Sequence, residues 1–394
     1  MKYFKGHVFL LIILLFQNLY LMSQAECTRE SMNKLKGRWV KKPDENMLAG
    51  QDQHQVITRI DNLQKIVQSV IAQPMGMEID WERNMEGINL IKNGSLPFEL
   101  AIKVGLFYCE HGTNKILANG VSNTGLYIKA NSFEWFLREL ENIVIENRPI
   151  YLLPRKTGEL KGLPVYEDEP QNAVMGPPLV YTKTSVVVRK GSLPYMPVSK
   201  KEYLEAFISF HEKEKFKSIK DAQYTENRIK NEDANRNKKH DEIMRIIRES
   251  NAKRNDTSEA TRQLIKKMEV EYQSLAKLED QEKETRPDLI ELESKKQNDV
   301  LQPARDAFQK LGEKGSEIAY LKENYTEQFI GFGNEGNGQM VVRLNSSYFK
   351  GNLPKYVPQL LIIRWSWGNW QETTGWKNQL EQINVSELQD MLDK

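Results

Sequence analysis

Apolar and polar residues recur with two different periods along this chain, and the changes of period divide it into four parts. After an apolar N-terminus, residues 26–198 mix short runs of helical spacing with short runs of two-residue alternation. Residues 199–319 are rich in charge and asparagine, and their apolar residues keep helical spacing. Strand-like alternation returns in residues 320–394. Because these periods are the main signal of secondary structure, we predict a mixed fold with a helical segment in its middle.

Residues 26–198 are predicted to form one amphipathic helix and several strands. Apolar residues three and four positions apart between Val56 and Ile71 define the helix, which ends at Pro74. Apolar and β-branched residues predict strands over 77–83, 98–108, 125–130, 150–153 and 179–189. Ser132 is a favourable N-cap for a second, short helix with four apolar residues on one face, namely Phe133, Phe136, Leu137 and Leu140.

Residues 199–319 are predicted to form a charged helical arm, either an antiparallel hairpin or a small bundle. Ser199 and Glu202 have the spacing of a capping box, which marks the start of a helix. Further on, four apolar residues form one stripe, consisting of Ile265, Met268, Tyr272 and Leu275. The stripe breaks at Glu279, so no sustained heptad repeat exists.

The polar composition of this arm leaves partial disorder as the alternative. We favour helix at both ends of the arm and expect fraying between Tyr224 and His240, where charge and asparagine are densest.

The last part of the chain is predicted to complete a sheet. Residues 359–367 read as a strand, 383–392 as a short helix, and Asn337-Gly338 as the dipeptide of a tight hairpin turn. Neither 26–198 nor 320–394 looks complete alone. We therefore predict an α+β fold, with one mostly antiparallel sheet built from both parts and the arm inserted between them.

Residues 1–25 have the three features of a cleavable signal peptide. Lys2 and Lys5 provide positive charge, Val8–Phe16 is apolar, and Ser23 and Ala25 are small residues at the expected cleavage positions. The apolar run is much shorter than the ~20 residues of a membrane-spanning helix. We predict cleavage after Ala25 and export to the periplasm, the cell surface or the medium. A lipoprotein acylated at Cys27 is the alternative.

Removal of residues 1–25 makes the chain electrically balanced. Cleavage takes Lys2 and Lys5 from the 56 basic residues, which then equal the 54 acidic residues in number. A chain without net charge has no overall positive field for nucleic acid or an anionic membrane. We therefore predict no nucleic-acid partner. We also predict no transmembrane segment after cleavage.

The chain contains two cysteines, Cys27 and Cys109. In an oxidising compartment they can form a disulfide. The alternative is that Cys109 is a buried apolar residue on its strand while Cys27 lies free near the N-terminus.

Three carboxylates alternate with apolar residues on the predicted strand 77–83. Glu78, Asp80 and Glu82 share one strand face, about 7 Å apart at the backbone. Carboxylates at such separations hydrolyse glycosidic bonds or bind cations. The alternative is an ordinary solvent-facing strand surface, which shows the same alternation.

Four tryptophans lie between residues 365 and 376. Trp365 and Trp367 share a strand face with apolar neighbours, which predicts burial. Trp370 and Trp376 lie beyond that strand, so we predict that they are the candidates for stacking on a sugar or a partner surface.

No cofactor or metal motif is complete. Gly331, Gly333 and Gly336 match the dinucleotide-binding spacing, but strand-like residues follow them where that site needs a helix. His211-Glu212 lacks the second histidine of a zinc-protease motif. We therefore predict neither a cofactor nor a metal site.

The run from Leu193 to Leu204, LPYMPVSKKEYL, resembles sequences of uncharacterised exported proteins of Bacteroidetes-type bacteria. This resemblance implies export and no particular activity. We predict an exported, non-catalytic binding or structural protein whose arm contacts a protein or glycan of the envelope or exterior. The alternative is a secreted hydrolase of glycans that uses the carboxylates of residues 78–82.

Overall fold

The structure is a computed structural model. It describes residues 28–45, 50, 52–85, 94–110, 115–119, 124–134, 136–167, 171–172, 179–253, 259–322, 328–368, 376, 378–379 and 381–394. The predicted signal peptide, Cys27 and Trp370 lie outside the described residues.

The described residues form fifteen strands, six α-helices and one 3-10 helix at Gly312–Ser316. The strands are β1 (Arg38–Lys41), β2 (Met77–Asn84), β3 (Phe98–Cys109), β4 (Ile116–Asn119), β5 (Gly125–Ala130), β6 (Arg138–Ile145), β7 (Arg148–Leu153), β8 (Lys156–Leu160), β9 (Leu163–Glu167), β10 (Gln171–Asn172), β11 (Leu179–Val187), β12 (Tyr195–Pro197), β13 (Tyr320–Lys322), β14 (Gly338–Leu344) and β15 (Leu361–Gly368). The helices are α1 (Arg29–Asn33), α2 (Gln53–Val70), α3 (Lys200–Lys253), α4 (Glu259–Thr285), α5 (Leu289–Lys310) and α6 (Val385–Asp390).

The strands form two sheets, and both contain strands from the two ends of the chain. The larger sheet has the order β1-β2-β3-β5-β15-β11-β9-β8, with β4 beside β3 and β10 beside β11. The smaller sheet has the order β12-β14-β7-β6, with β13 beside β14. Apart from β1 with β2, the strand pairs of the described residues are antiparallel. The predicted α+β fold with an inserted charged helical segment is therefore confirmed.

The prediction of one sheet is wrong, because the strands form two separate sheets. The physical reason is that strand β7 of the smaller sheet is apolar on both faces and packs against a different core on each. Ile150 and Leu152 pack into a core with the first turns of α3, while Tyr151 and Leu153 pack against the larger sheet. The smaller sheet is thus a separate layer with apolar surface on each side. A third core, on the opposite face of the larger sheet, includes residues of helices α2 and α6.

The arm begins and ends at neighbouring points of the smaller sheet. Ser199 and Ile318 form an antiparallel bridge, and Lys200 N donates a hydrogen bond to Glu317 O (2.8 Å). The predicted capping box is present: Ser199 N donates to Glu202 Oε2 (2.9 Å), and Glu202 N donates to Ser199 Oγ (3.2 Å).

Helix α3 is 54 residues long, about 80 Å, and α4 and α5 return along it in the opposite direction. The contacts follow the arm from tip to base, with Arg236–Glu279 at 3.7 Å, Arg286–Asp233 at 3.0 Å, Lys215–Asn298 at 2.6 Å and Arg305–Glu212 at 2.8 Å. The predicted fraying between Tyr224 and His240 is not found, because this stretch pairs with the returning helices. In the described part of the chain no helix is long and apolar enough to cross a membrane.

Two local predictions fail for identifiable reasons. The residues after Ser132 form no helix: Phe133, Phe136 and Leu137 fill the space between the sheets from a loop, and β6 starts at Arg138. Gly338 does begin a strand, but Asn337-Gly338 is not a tight turn between paired strands, because the nearest preceding strand that pairs with β14 is β13, which ends at Lys322.

The distal arm is expected to be separable from the body. Glu226 Oε1 accepts a hydrogen bond from Leu289 N (3.1 Å), so the chain can be rejoined there by a short Gly/Ser linker replacing residues 227–287. We expect this variant to be soluble and to melt cooperatively, within a few degrees of the full chain, because the removed part contributes little to the three cores.

The control for this truncation lies at the base of the arm. Phe207 is buried against Tyr203 and Phe329, so Phe207→Ala should destabilise the protein by about 3–5 kcal/mol. Both variants are measured by calorimetry and urea unfolding. An insoluble or non-cooperative truncated protein would show that the distal arm belongs to the core.

Candidate functional site

The face of the larger sheet that points away from α2 carries a band of polar residues. Strand alternation places Glu82 of β2, Glu99 and Lys103 of β3, and Lys129 of β5 on this face, while their neighbours Leu100 and Ile102 enter the core. Toward β11 and β9 the same face becomes apolar and is covered by the smaller sheet. The band is therefore the polar remainder of a half-covered sheet.

The three predicted carboxylates lie in this region, and each one pairs with a different base. Glu78 is 2.7 Å from Arg38, Asp80 is 3.0 Å from Lys42, and Glu82 is 2.6 Å from Lys103. Ion pairs across neighbouring strands are a common stabilising feature of sheet surfaces. The structure thus places the three side chains on one face without leaving any of their charges uncompensated.

A buried ionic cluster lies beside them, and the sequence reasoning missed it. Glu99 and Lys129 face each other on β3 and β5 and are 2% and 4% exposed. Lys129 Nζ lies 3.3 Å from Glu99 Oε2 and 2.6 Å from Glu134 Oε2. Burial raises the pKa of Glu99, and the attraction of Lys129 offsets only part of that effect. The available signal was the presence of charged residues in two mostly apolar strands, Glu99 and Lys103 in β3 and Lys129 in β5.

Glu82 and Glu99 are neighbouring carboxylates in different environments. Glu82 is opposite Ala101, two residues along β3 from Glu99, and its charge is balanced by Lys103. Two neighbouring carboxylates in different environments can serve as base and acid in glycoside hydrolysis. Glu99 and Lys129, however, are closed to a substrate, and their pairing ties β3 to β5 and to the loop at Glu134. We conclude that this cluster is structural.

The tryptophan prediction is wrong for Trp376. Its side chain is 1% exposed and belongs to the core of the larger sheet with Ile383 and Val385, because the chain after β15 folds back over that core. Trp365 and Trp367 are buried in the same core, as predicted. Trp370 lies outside the described residues, so stacking on that ring stays a prediction.

Cys109 at the end of β3 is disulfide-bonded. The other cysteine of the chain, Cys27, lies outside the described residues, and its pairing with Cys109 stays a prediction. Arg29, two residues after Cys27, donates a hydrogen bond from Nη1 to Phe107 O (2.5 Å), which holds the start of α1 against the same strand. That contact supports the pairing.

Neither the glycine motif nor the metal-ligating residues of the described chain form a cofactor or metal site. Strand β14, rather than a helix, follows Gly331, Gly333 and Gly336, so these residues form a turn without the helix N-terminus that a pyrophosphate needs. Within the described ranges, no group of three or more metal-ligating side chains comes together.

The distal half of the arm has an accessible apolar surface. Helices α3 and α4 touch along a line marked by the rings of His240 and Tyr272, 4.6 Å apart, and by Arg236 with Glu279. Six large apolar side chains beside this line are between 38% and 62% exposed; they are Ile243, Ile246, Leu264, Met268, Leu275 and Leu278, and we call them the distal face.

Helix geometry puts these six residues on one side of the hairpin. Five of them directly precede a less exposed residue on the line of contact, as Ile243 precedes the buried Met244 and Leu275 precedes Ala276. Leu264 lies four residues before Met268 and therefore on the same face of α4. One step along a helix is a rotation of about 100° in a fixed sense. Because α3 and α4 run in opposite directions, moving back by one residue from the line of contact leads to the same side of the hairpin on both helices.

Comparison with known proteins gives no relative to guide the assignment. No family model matches the chain, and neither the curated proteins nor the solved structures contain a significant match. The function must therefore be argued from the geometry.

The buried cluster generates a prediction about pH. Since the pKa of Glu99 is raised above its usual value of 4.5, the folded state holds this proton more tightly than the unfolded state. Ionisation of Glu99 therefore removes stability as pH rises from about 4.5 through the raised pKa. The stability of Glu99→Gln relative to the unmodified protein should increase over that interval, because glutamine cannot ionise.

Urea unfolding at a series of pH values between 4 and 8 measures this difference. The matched control is Glu78→Gln, whose partner Arg38 is exposed and which should change stability by less than ~1 kcal/mol. A difference between Glu99→Gln and the unmodified protein that is independent of pH would contradict the assignment.

Proposed function

We propose that this chain is an exported, non-catalytic binding or structural protein that engages its partner through the distal face of the arm. The observation that carries the proposal is the accessible apolar surface of Ile243, Ile246, Leu264, Met268, Leu275 and Leu278. Contiguous exposed apolar patches of several hundred Å² mark interaction sites on soluble proteins.

The position of the distal face supports a role in contact rather than in folding. Between Ile208 at the base and Ile243 the helix rises by about 50 Å, so the face lies far from the three cores. Covering a large apolar side chain stabilises a protein by about 1.5–3 kcal/mol when the burial is complete. The distal face does not gain this stabilisation within the chain, so its apolar side chains are available to a partner.

The export part of the proposal is supported by the pattern of residues 1–25 and by the disulfide state of Cys109. Disulfides persist in oxidising compartments and are rare in the cytosol. The resemblance to exported proteins of Bacteroidetes-type bacteria agrees with this location.

The alternative, a secreted glycan hydrolase, rests on weaker grounds. Each carboxylate of residues 78–82 has a basic partner, and the buried Glu99 is closed to a substrate. The described residues contain no observation that favours hydrolysis over binding, so this alternative stays an untested hypothesis.

The binding proposal is tested by capture from an envelope extract of the source organism. The bait is the mature chain, compared with Leu264→Asp/Leu275→Asp, which puts two charges into the distal face. We expect the double variant to capture at least ~10-fold less of the partner, because burying an unpaired carboxylate is costly. A glycan array probed with the same proteins covers carbohydrate partners.

The matched control is Val270→Asp. Val270 is 58% exposed, as is Leu264, but it follows a contact residue rather than preceding one and therefore lies on the opposite side of the arm. It should leave capture unchanged. Equal capture by all three proteins would refute the distal face as the binding surface.

Export and oxidation are tested together by mass spectrometry. The full chain, expressed in a Gram-negative host and recovered from the periplasm, should begin at Glu26 and have a mass lower by two hydrogens than its reduced form. The control is Cys27→Ser, which should expose one reactive thiol at Cys109. A product that starts at Met1 and stays in the cytoplasm would contradict export.

A further inference from the structure

We propose that the partner of the distal face is a second copy of this chain, so that two arms pair side by side. This inference rests on the proposed function, because it assigns the identity of the partner to the same surface.

The first step is that polar pairs take up much of the line of contact in the hairpin, while the large apolar side chains of the distal face stay exposed beside it. The line of contact between the two legs is occupied by Asp233 with Arg286, Asn237 with Lys283 and Arg236 with Glu279. Among the described side chains of α4 and of α3 beyond Glu226, only Met244 is buried. Exposed ion pairs contribute well under 1 kcal/mol each, and they leave the six apolar side chains of the distal face available for packing.

The second step is that one leg has a basic residue and the other an acidic residue at the same height along the arm. Lys239 directly precedes His240 and Glu271 directly precedes Tyr272, so both lie on the same side as the distal face. The rings of His240 and Tyr272 touch, which places Lys239 and Glu271 at the same height along the arm. One leg thus has a base, and the other leg an acid, at one level of the face.

If a two-fold axis runs parallel to the arm, Lys239 and Glu271 of the two copies form two intermolecular ion pairs. Such an axis places α3 of one copy against α4 of the other, and every neighbouring pair of helices is then antiparallel, as in a four-helix bundle. Lys239 of each copy faces Glu271 of the second copy, at the rim of an apolar centre. Ion pairs that flank an apolar seam determine partner choice in helical assemblies. Glu271 has one competing contact, an exposed pair with Lys267 at 4.0 Å.

The size of the face determines the expected affinity. From Leu264 to Leu278 the helix rises by about 21 Å, and two adjacent helices are about 20 Å wide, so each copy would bury roughly 400 Å². The total of roughly 800 Å² is below that of a standard stable interface. We therefore expect a reversible dimer with a dissociation constant in the micromolar range.

A bilayer is the other occupant of an exposed apolar helix face, and the charges favour it less. Residues 236–285 contain 12 basic and 11 acidic residues, with the two signs interspersed along the segment. Interfacial helices are instead rich in basic residues on their polar face. A nearly neutral surface of mixed sign is compatible with a second copy of itself.

The test is sedimentation equilibrium of the mature chain between ~1 and ~200 μM, with circular dichroism to verify helicity. A monomer–dimer equilibrium is expected. Leu264→Asp/Leu275→Asp should weaken it at least ~10-fold, and Val270→Asp, of equal exposure on the opposite side, should leave it unchanged.

Charge exchange identifies the partner as a second copy. Lys239→Glu and Glu271→Lys should each weaken self-association, because like charges then face each other across the axis. An equimolar mixture of the two single variants should associate as a heterodimer as strongly as the unmodified chain, since both pairs regain opposite signs. No other partner predicts recovery on mixing.

The outcomes separate this inference from the proposed function. A chain that stays monomeric throughout, a dimer insensitive to Leu264→Asp/Leu275→Asp, or a mixture that does not recover would each overturn the second copy as partner. If a monomeric chain still loses extract capture in the double variant, the proposed function stands and the partner is another molecule. Cosedimentation of a monomeric chain with phosphatidylcholine vesicles, abolished by the double variant, would instead identify a bilayer and also overturn the dimer.

Discussion

Val198, Ala319 and Val341 close a ring of three backbone hydrogen bonds. Val198 N donates to Val341 O (2.9 Å), Val341 N to Ala319 O (2.8 Å) and Ala319 N to Val198 O (2.9 Å). All three side chains are fully buried in one core. Because the residues belong to the entry of the arm, to its exit and to the central strand β14, the ring fixes where the arm leaves the sheet. A long insertion with its ends held in this way adds little to the entropy of closing the chain.

The order of the layers follows from strand β7 beside that ring. Since Ile150 and Leu152 face the base of the arm while Tyr151 and Leu153 face the larger sheet, the smaller sheet is buried on both sides. The larger sheet has apolar cover on one face and only partial cover on the other. Glu99 and Lys129 lie on this second face and are buried, and their pairing compensates charges that the fold has removed from water.

Elements with strong local patterns could be predicted from the sequence. Helix α2, strands β2, β3, β5 and β15, and the capping box at Ser199 all appear within a few residues of their predicted bounds, because burial on one face creates a clear period. The failures involve residues whose burial depends on distant parts of the chain. Phe133 and Phe136 have helical spacing but fill a gap between two sheets. Trp376 is covered because the chain folds back over the larger sheet, and no local pattern indicates that.

The distal arm differs from the body in where its charged and large apolar residues lie. In the body, apolar residues are enclosed and charges lie at the margins. In the distal arm, ion pairs join the two legs together with a few contacts such as that of His240 with Tyr272, and six large apolar side chains stay exposed. The legs therefore keep their relative position through contacts that do not consume the apolar surface. The return leg is also interrupted between Thr285 and Leu289, where Asp288 caps α5 by accepting a hydrogen bond from Glu291 N (2.9 Å). With α3 continuous past this break, the return leg consists of two helices packed on one long helix. The contacts that position the distal face are therefore separate from the ring at Val198 and from the cores of the body, so the exposed apolar residues of the arm take no part in holding the body together.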